Sequence, residues 1–182
     1  MEPPSDLIDH FKLNACHTNG ITTETSYSSD PARGFRKVKV DRKWHRGQNL
    51  GHGAFGAVWL EENANATNEP KPKTARAVKE VSKPFMRHVH IDYNREILAL
   101  AKLSRFPHEF VEFHGWFESD HLVFLVMEYV ACGDLVGFIE RGIGEGEARV
   151  IAGQLLEGLA VMHRFCFTHR DLKPSVSCLS HL

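Results

Sequence analysis

A short segment near the end of the sequence combines the residue types needed to transfer a phosphoryl group to a hydroxyl. Residues 169–173 read His-Arg-Asp-Leu-Lys. The carboxylate of Asp171 can accept the proton of an incoming hydroxyl, and the ammonium of Lys173 can neutralise the phosphate that is transferred. The alternative is an ordinary His-Arg-Asp tripeptide in a loop. The Leu-Lys-Pro that completes the segment at 172–174 and the order of the motifs upstream disfavour that alternative.

A glycine-rich turn could bring main-chain N–H groups close to phosphate oxygens, because glycine has no side chain to block the approach. The spacing is Gly-x-Gly-x-x-Gly, and its members are Gly51, Gly53 and Gly56. A dinucleotide-binding fold uses the same spacing but needs a helix after the turn. Here residues 57–60, Ala-Val-Trp-Leu, continue as a strand. A phosphate-binding turn and a plain hairpin turn remain alternatives for this motif taken alone.

A lysine on the next predicted strand could reach phosphate held under the glycine turn. Lys79 follows Ala-Val at 77–78. It needs a carboxylate to fix its ammonium, and Glu96 on the following predicted helix is the candidate. A single Lys–Glu pair of this kind is usually a surface ion pair of little energetic value. Its position between the other two motifs favours a functional pair instead.

The region from 43 to 130 has the pattern of five strands with one helix after the third. Strands are predicted near 48–51, 57–60, 75–81, 110–117 and 121–129, and the last two of these are rich in aromatic and branched residues. Apolar residues recur at helical spacing over 93–103, 134–140 and 145–163. The last helix needs a partner surface that little sequence downstream could supply. Its predicted apolar face comprises Ile151, Leu155, Leu156, Leu159 and Met162.

The first part of the chain has the composition of a solvated tail. Over residues 1–42 apolar side chains are sparse and show no sustained period, which predicts disorder. A short helix near residues 6–11 is the exception that the pattern allows. Basic residues cluster over 33–46 and could form a nuclear-import or anion-binding patch, although a charged edge of the first strand is the favoured interpretation. A polar loop is predicted over 61–74.

Composition excludes several classes of partner. The 182 residues carry a net charge of −1, so we expect no nucleic-acid partner, and no apolar run approaches the roughly 20 residues that would span a membrane. The start lacks the pattern of a secretory signal, and the four cysteines show no Cys-x-x-Cys pair. We therefore expect an intracellular protein, cytoplasmic or nuclear. The histidines and cysteines show no zinc-site spacing, so no metal ligand is predicted.

Together, the three motifs resemble those of the eukaryotic protein kinase family over residues 44–175. Leu172-Lys173 after Asp171 resembles the serine/threonine class. The resemblance implies an α+β fold: a kinase N-lobe with a five-stranded antiparallel sheet plus one helix, followed by the first helices of an incomplete helical C-lobe. The implied domains are a disordered tail at 1–42, the N-lobe at 43–130, and the hinge exit with the start of the C-lobe at 131–182.

The resemblance also implies ATP as cofactor and a protein serine or threonine hydroxyl as acceptor. Lys79 would hold the α- and β-phosphates and pair with Glu96, while Asp171 would be the catalytic base assisted by Lys173. The remaining nucleotide contacts would come from residues that sandwich adenine, gate its pocket, bind it through the main chain, or meet the ribose. These residues are Val58, Ala77, Met127, Glu128, Val130 and Asp134.

One position departs from the family pattern within the catalytic segment. Val176 stands where the family has an asparagine that binds magnesium, and no Asp-Phe-Gly follows in the sequence. Mg²⁺ is expected for the family, but its ligands are absent here, because a valine offers no oxygen to a hard cation. The expectation is a kinase truncated within the catalytic loop and impaired in transfer. The alternatives are a non-catalytic half-kinase that binds nucleotide or a partner, and a non-functional truncated product.

Overall fold

The structure is a computed structural model that describes residues 4–30, 34–53, 56–63, 75–88 and 92–176. Three features of the sequence lie outside the described residues: the tip of the glycine turn at 54–55, most of the predicted polar loop at 64–74, and the last residues at 177–182. The chain divides into two compact units, Met1–Ala101 with Phe113–Tyr129 and Lys102–Glu112 with Val130–Leu182. Residues 102–112, which we assigned to the N-lobe, therefore group with the second unit.

The first unit is built on one antiparallel sheet, as the sequence predicts, but the described residues form seven strands rather than five. Their spatial order is β1-β2-β3-β4-β5-β7-β6. The strands are β1 (Ala15–Thr18), β2 (Ile21–Asp30), β3 (Arg36–Gly53), β4 (Gly56–Asn63), β5 (Ala75–Ser82), β6 (Phe113–Glu118) and β7 (Leu122–Glu128). The helices of this part of the chain are α1 (Pro4–His10), α2 (Lys83–His88) and α3 (Tyr93–Leu103). The α+β class is confirmed, whereas the count of one helix is too low.

The prediction of a disordered tail over 1–42 is wrong for the residues of this segment that the structure describes. They form α1, β1, β2 and the start of β3, and β2 pairs with β3 without interruption from Ile21–His45 to Asp30–Arg36. The Thr/Ser-rich run forms a strand because β-branched threonine suits extended backbone. Apolar periodicity is missing here because part of the buried surface is polar: Thr22 is fully buried although it carries a hydroxyl.

The segment between α1 and β1 forms hydrogen bonds with β6, the strand at the opposite end of the sheet from β1. The main-chain N–H of Leu13 donates to the carbonyl of Trp116 on β6 at 2.7 Å, and the N–H of Trp116 donates to the carbonyl of Phe11 at 2.9 Å. β6 is the last strand in the order, and the segment leads directly into β1, the first, so these bonds bring the two ends of the sheet together at one bridge between Lys12 and Trp116. The bridge covers part of the β6 edge, and an open strand edge is a potential site of aggregation.

Each face of the sheet carries its own apolar cluster. One cluster includes Val81 and Leu125 together with the helical residues Leu7, Met86, Ile97 and Ala101. The other is formed by Val78, Phe117, Phe124 and Val126, and the rings of Phe117 and Phe124 stack at 4.4 Å. Alternation along the strands places these two sets on opposite faces. The helices α1, α2 and α3 therefore share the first cluster.

A buried ion pair joins the N-terminal strands to the centre of the sheet. Glu61 on β4 is fully buried, and its carboxylate accepts from Nε of Arg76 on β5 at 3.0 Å. Nη1 of Arg76 donates to Glu24 on β2 at 2.7 Å, and the guanidinium lies 4.0 Å from the centre of the Trp44 ring. The hydroxyl of Thr22 donates to the other oxygen of Glu61 at 2.5 Å. Four strands thus meet in one network of charges.

His17 on β1 extends this network. Its Nδ1 lies 2.8 Å from the Thr22 hydroxyl. Because that hydroxyl gives its proton to Glu61, the neutral ring carries its own proton on Nδ1 and donates it. Burial and the nearby Arg46 guanidinium lower the pKa of His17 below its ordinary value, and they outweigh Glu61 and Glu80, which raise it. Folding therefore extends the pH range over which this ring is neutral to lower pH.

We expect stability to fall as the pH drops from 7.5 to 5.5, with His17 as one cause. The unfolded chain takes up a proton below the ordinary histidine pKa of about 6.5, whereas the folded chain takes it up only at a lower pH, so protonation favours unfolding, by at most about 1.4 kcal/mol per pH unit. Urea unfolding of the wild type and His17→Gln at the two pH values measures the effect. His121→Gln, at an exposed position in the β6–β7 turn, is the control. An equal pH dependence in wild type and His17→Gln would contradict the assignment.

The second unit contains residues 102–112, the helices α4 (Leu135–Glu140) and α5 (Glu145–Arg164), and the loop that follows α5, which ends in a short 3-10 helix at Pro174–Val176. Its core contains Leu103, Val161 and Met162, with Phe106 and Phe110 packed against them. The partner surface of α5 thus comes mostly from upstream residues, joined by Phe167 from downstream, whereas the sequence analysis considered only downstream residues. Leu156, predicted to lie on the apolar face, is 66% exposed. No helix in the described part of the chain combines the length and apolar character needed to cross a bilayer.

Candidate active site

Strand register brings four of the sequence-predicted residues to one face of the sheet. Val58 on β4 lies opposite Lys79 on β5, and Ala77 on β5 lies opposite Met127 on β7. Residues directly opposite each other, and residues two apart on one strand, point to the same side. Ala77 is buried, while Val58, Lys79 and Met127 are half-buried. This face can therefore offer apolar contact and one cation to the same ligand.

The cation on this face is fixed by a carboxylate. Nζ of Lys79 donates to Oε1 of Glu96 at 2.5 Å, and both side chains keep about a quarter of their surface exposed, 24% and 29%. Glu96 lies in the first turn of α3, directly before Ile97, which is fully buried in the first apolar cluster. The pairing expected from the sequence is present in the structure. It leaves a partly accessible ammonium with donors for a further anion.

The glycine turn connects β3 to β4 on the same sheet. Gly53 pairs with Gly56, and the register shifts between Arg46 and Asn49 and again between Asn49 and Gly51. Such irregularities bend a strand and re-aim its main chain. The described part of the turn is therefore a distorted hairpin and not the start of a helix, which excludes the dinucleotide-binding alternative.

Glu80 ties this hairpin to β5, and sequence analysis missed it. Its carboxylate accepts from Nη2 of Arg46 on β3 at 2.6 Å and from Nε1 of Trp59 on β4 at 2.9 Å. The Arg46 guanidinium also lies 5.0 Å from the centre of the Trp59 ring. Since Glu80 is the neighbour of Lys79, these bonds hold the two strands of the hairpin close to the lysine. The alternation of β5, which puts residues 79 and 80 on opposite faces, is the signal that could have found it.

The remaining predicted site residues lie at the end of the first unit or in the second. Glu128 is the last residue of β7 and is exposed. The carbonyl of Val130 accepts from the N–H of Gly133 in a turn, at 3.2 Å. Asp134 is the N-cap of α4, and its carboxylate accepts from the N–H of Val136 at 3.0 Å. The resemblance predicted that Asp134 contacts the ribose. In the structure its carboxylate caps α4, and the ribose contact stays a prediction.

The predicted catalytic pair is formed within the second unit. Nζ of Lys173 lies 2.8 Å from Oδ2 of Asp171, and both side chains are exposed. The N–H of Asp171 is 3.4 Å from Nδ1 of His169, and Arg170 between them adopts a positive φ of 66°. A non-glycine residue in this region carries backbone strain, which is common at functional loops. The loop therefore presents an exposed carboxylate next to a cation.

The donor set fits a nucleoside triphosphate but not a complete magnesium site. An anchored ammonium and a glycine hairpin suit phosphate, and the apolar residues beside them suit a base. Among the described residues no group of three or more histidine, cysteine, aspartate or glutamate side chains could hold a metal ion. Position 176 adds a valine, which has no oxygen donor. We therefore derive no step through a metal ion.

Comparison with known proteins agrees with this arrangement. Residues 44–176 match the protein kinase domain family. Relatives from Arabidopsis thaliana include the serine/threonine-protein kinase ATG1a, 34% identical over 137 residues, and the SNF1-related protein kinase catalytic subunit alpha KIN12, 36% identical over 139 residues. These alignments cover 74% and 75% of this chain but only 21% and 27% of the relatives. The chain thus spans about a quarter of the length of these relatives.

A solved structure has the same fold. The crystal structure of Rad53 1-466 in complex with AMP-PNP matches with a TM-score of 0.59 and 30% sequence identity, over 76% of this chain and 35% of that one. Strands β3 to β7, with α3 between β5 and β6 and Lys79 held by Glu96, correspond to the five-stranded N-lobe that the resemblance implies, and β1 and β2 extend its sheet. The chain belongs to the protein kinase domain family.

Proposed function

We propose that this chain forms the ATP-binding part of a serine/threonine protein kinase. The observation that carries the proposal is the Lys79–Glu96 pair on the face of the sheet that also bears Val58, Ala77 and Met127. An anchored lysine beside an apolar surface can bind the charged and the flat parts of one nucleotide at the same time. The AMP-PNP in the Rad53 structure supports the choice of an adenine nucleotide.

Each predicted residue has a task in this function. Lys79 neutralises the α- and β-phosphates, and the main chain around Gly51, Gly53 and Gly56 donates to phosphate oxygens. Val58 and Ala77 contact the two sides of the adenine ring, and Met127 limits the depth of its pocket. Main-chain groups of Glu128 and Val130 bond the base, and Asp134 contacts the ribose.

The transfer step uses the loop of the second unit. The oxygen of a serine or threonine hydroxyl on an intracellular protein attacks the γ-phosphorus of ATP, and its proton passes to the carboxylate of Asp171. The bond between the γ-phosphorus and the bridging oxygen breaks, and ADP leaves. Lys173 stabilises the negative charge of the phosphoryl group during its transfer. A bound magnesium ion normally supplies further charge neutralisation in this family, and position 176 contributes no ligand to it.

A second candidate function is nucleotide binding without transfer. Val176 favours it, since phosphoryl transfer depends on positioning and charge neutralisation, and each ~1.4 kcal/mol of lost transition-state stabilisation lowers the rate tenfold. The contacts of the first unit do not depend on position 176. The two functions share the binding site and differ only in whether phosphate reaches a protein hydroxyl.

We expect ATP to raise the melting temperature of the protein and Lys79→Ala to remove most of that rise. The alanine lacks the ammonium that binds the phosphates, and Glu96 left alone repels them. Lys83→Ala is a matched control, because Lys83 also pairs with a half-buried glutamate, Glu118, at 2.6 Å but is not assigned to the site. Thermal unfolding with and without ATP measures both. An equal response of Lys79→Ala and wild type would contradict the proposed site.

The two candidate functions are separated by a transfer assay. Purified protein is incubated with ATP labelled in the γ-phosphate and a protein substrate, with Asp171→Asn as comparison. Transfer that Asp171→Asn lowers by about 10²–10⁴, the usual contribution of a general base, identifies a kinase. Binding that persists without transfer in either protein identifies the second function.

A further inference from the structure

Helix α1 forms only because it packs on the rest of the first unit. It has seven residues, and an isolated helix shorter than about 12 residues is marginal in water. Leu7 supplies the packing: it is 8% exposed and belongs to the apolar cluster of the first unit, with Ile8 and Phe11 packed against that cluster. The packing of its side chains against the first unit therefore stabilises α1 more than its intrinsic helix propensity does.

The same apolar cluster buries one face of α3. Ile97 and Ala101 of α3 are both fully buried in it, and Met86 of α2 and Val81 of β5 complete its surroundings. Because Leu7, Ile97 and Ala101 belong to one cluster, removing the side chain of Leu7 would leave a cavity in the cluster that also buries one face of α3. Neighbouring side chains fill such a cavity only in part.

Hydrogen bonds to one residue of β6, Trp116, fix the position of α1. Nε1 of Trp116 donates to the carbonyl of Ile8 at 2.9 Å, and the main chain of Trp116 makes two bonds, to Phe11 and Leu13, just after the helix. Nζ of Lys12 lies 4.7 Å from the centre of the Trp116 ring and pairs with Glu118 at 2.9 Å. The helix therefore has one defined place on the sheet.

Gly115 shows how close this approach is. It has a φ of 138°, and a side chain on it would place Cβ only 2.5 Å from the carbonyl of Phe11. No other residue type allows the two main chains to lie this close together. The N-terminal segment is therefore an integral part of the sheet at the point where it passes β6.

We propose that α1 is a positioning element for the candidate active site: Leu7 holds α3 in the place where Glu96 reaches Lys79. Glu96 lies next to Ile97 along α3, so any displacement of the buried face of this helix displaces its carboxylate. Leu7 is a positioning residue, not a catalytic one, because it acts through α3. The consequence for ATP rests on the function proposed above, whereas the consequence for α3 does not.

The test compares two leucines of the same segment. Leu7→Ala removes side-chain atoms from the cluster shared with α3, and Leu13→Ala removes the same atoms from the cluster on the other face. Hydrogen exchange over residues 93–103 and the affinity for a fluorescent ATP analogue are measured for both. We expect Leu7→Ala to speed exchange in α3 and to weaken nucleotide binding about fivefold, the usual size of such coupling, and Leu13→Ala to do neither. Leu7→Met, which refills the space, should restore both properties.

A double substitution distinguishes positioning from a loss of general stability. In the Lys79→Ala background Leu7→Ala should not weaken nucleotide binding further, because the lysine through which it acts is gone. The proposal is wrong if Leu7→Ala lowers the melting temperature but leaves exchange in α3 at the wild-type rate, or if Leu13→Ala speeds that exchange equally. Should the wild type bind no nucleotide, the proposed function fails, while exchange in α3 still decides whether Leu7 positions the helix.

Discussion

Arg76→Met is expected to destabilise the first unit by about 3–5 kcal/mol, the usual cost of breaking a buried ion pair by removing one partner. The methionine keeps most of the volume of the arginine but leaves the fully buried Glu61 without its counter-charge. It also frees Glu24 and removes the cation from the Trp44 ring. Since a domain is stable by only about 5–15 kcal/mol, this loss brings the fold close to its limit. Urea unfolding followed by circular dichroism measures it.

A second substitution in the same network tests the cause. In the double variant Arg76→Met, Glu61→Gln, the buried charge is gone and the glutamine can still accept from Thr22, so we expect the double variant to be more stable than Arg76→Met alone. Lys39→Met is the matched control: Lys39 pairs with Asp41 at 2.9 Å, but both side chains are exposed, and no measurable loss is expected. If Arg76→Met and Lys39→Met unfold at the same urea concentration, the buried network is not what joins the N-terminal strands to the sheet.

The local sequence pattern was sufficient to predict an element where that element buries one apolar face. The helix predicted over 93–103 is α3, and that predicted over 145–163 is α5 with one further residue. In both, apolar residues at helical spacing meet a cluster of the core. The Lys79–Glu96 pair could also be predicted, because the glycine motif before it and the His-Arg-Asp motif after it favoured a functional pair over a surface one. The roles of Val58, Ala77, Met127 and Asp134 toward a nucleotide stay predictions.

Pattern failed where the partners of a segment are polar or distant in sequence. Strand β2 has no apolar period because Thr22 and Glu24 face a network whose other members, Glu61 and Arg76, come more than 30 residues later. A scan of the first 42 residues therefore finds only solvated side chains. Leu156 was wrongly assigned to the apolar face of α5 for the same reason, since Phe106 and Phe110, which pack on the cluster of this helix, precede α5 by more than 30 residues. Long-range pairing of this kind cannot be read from a window.

Gly56→Ala is expected to cost about 3 kcal/mol or more, at or above the usual upper end for overpacking. A Cβ on this residue would lie 1.7 Å from the carbonyl oxygen of Glu80 and 2.8 Å from its carbonyl carbon. Both are main-chain atoms of β5, so no side chain can rotate away. Relief requires β4 to separate from β5, and that separation would break the register that places Val58 opposite Lys79. Denaturant unfolding should therefore show a large loss, together with a loss of ATP-induced stabilisation.

Gly51→Ala is the matched substitution. Comparing it with Gly56→Ala shows why each of these two positions of the motif requires a glycine. A Cβ on Gly51 would meet no atom within 4 Å, so the fold should keep its stability. A loss of nucleotide affinity in this variant would then report that the added methyl blocks the approach of phosphate to the main chain, which is the reason the sequence suggested for all three glycines. Gly56 would instead be required by the fold, because β5 occupies the space of its side chain. Equal unfolding midpoints for the two variants would contradict this division of roles.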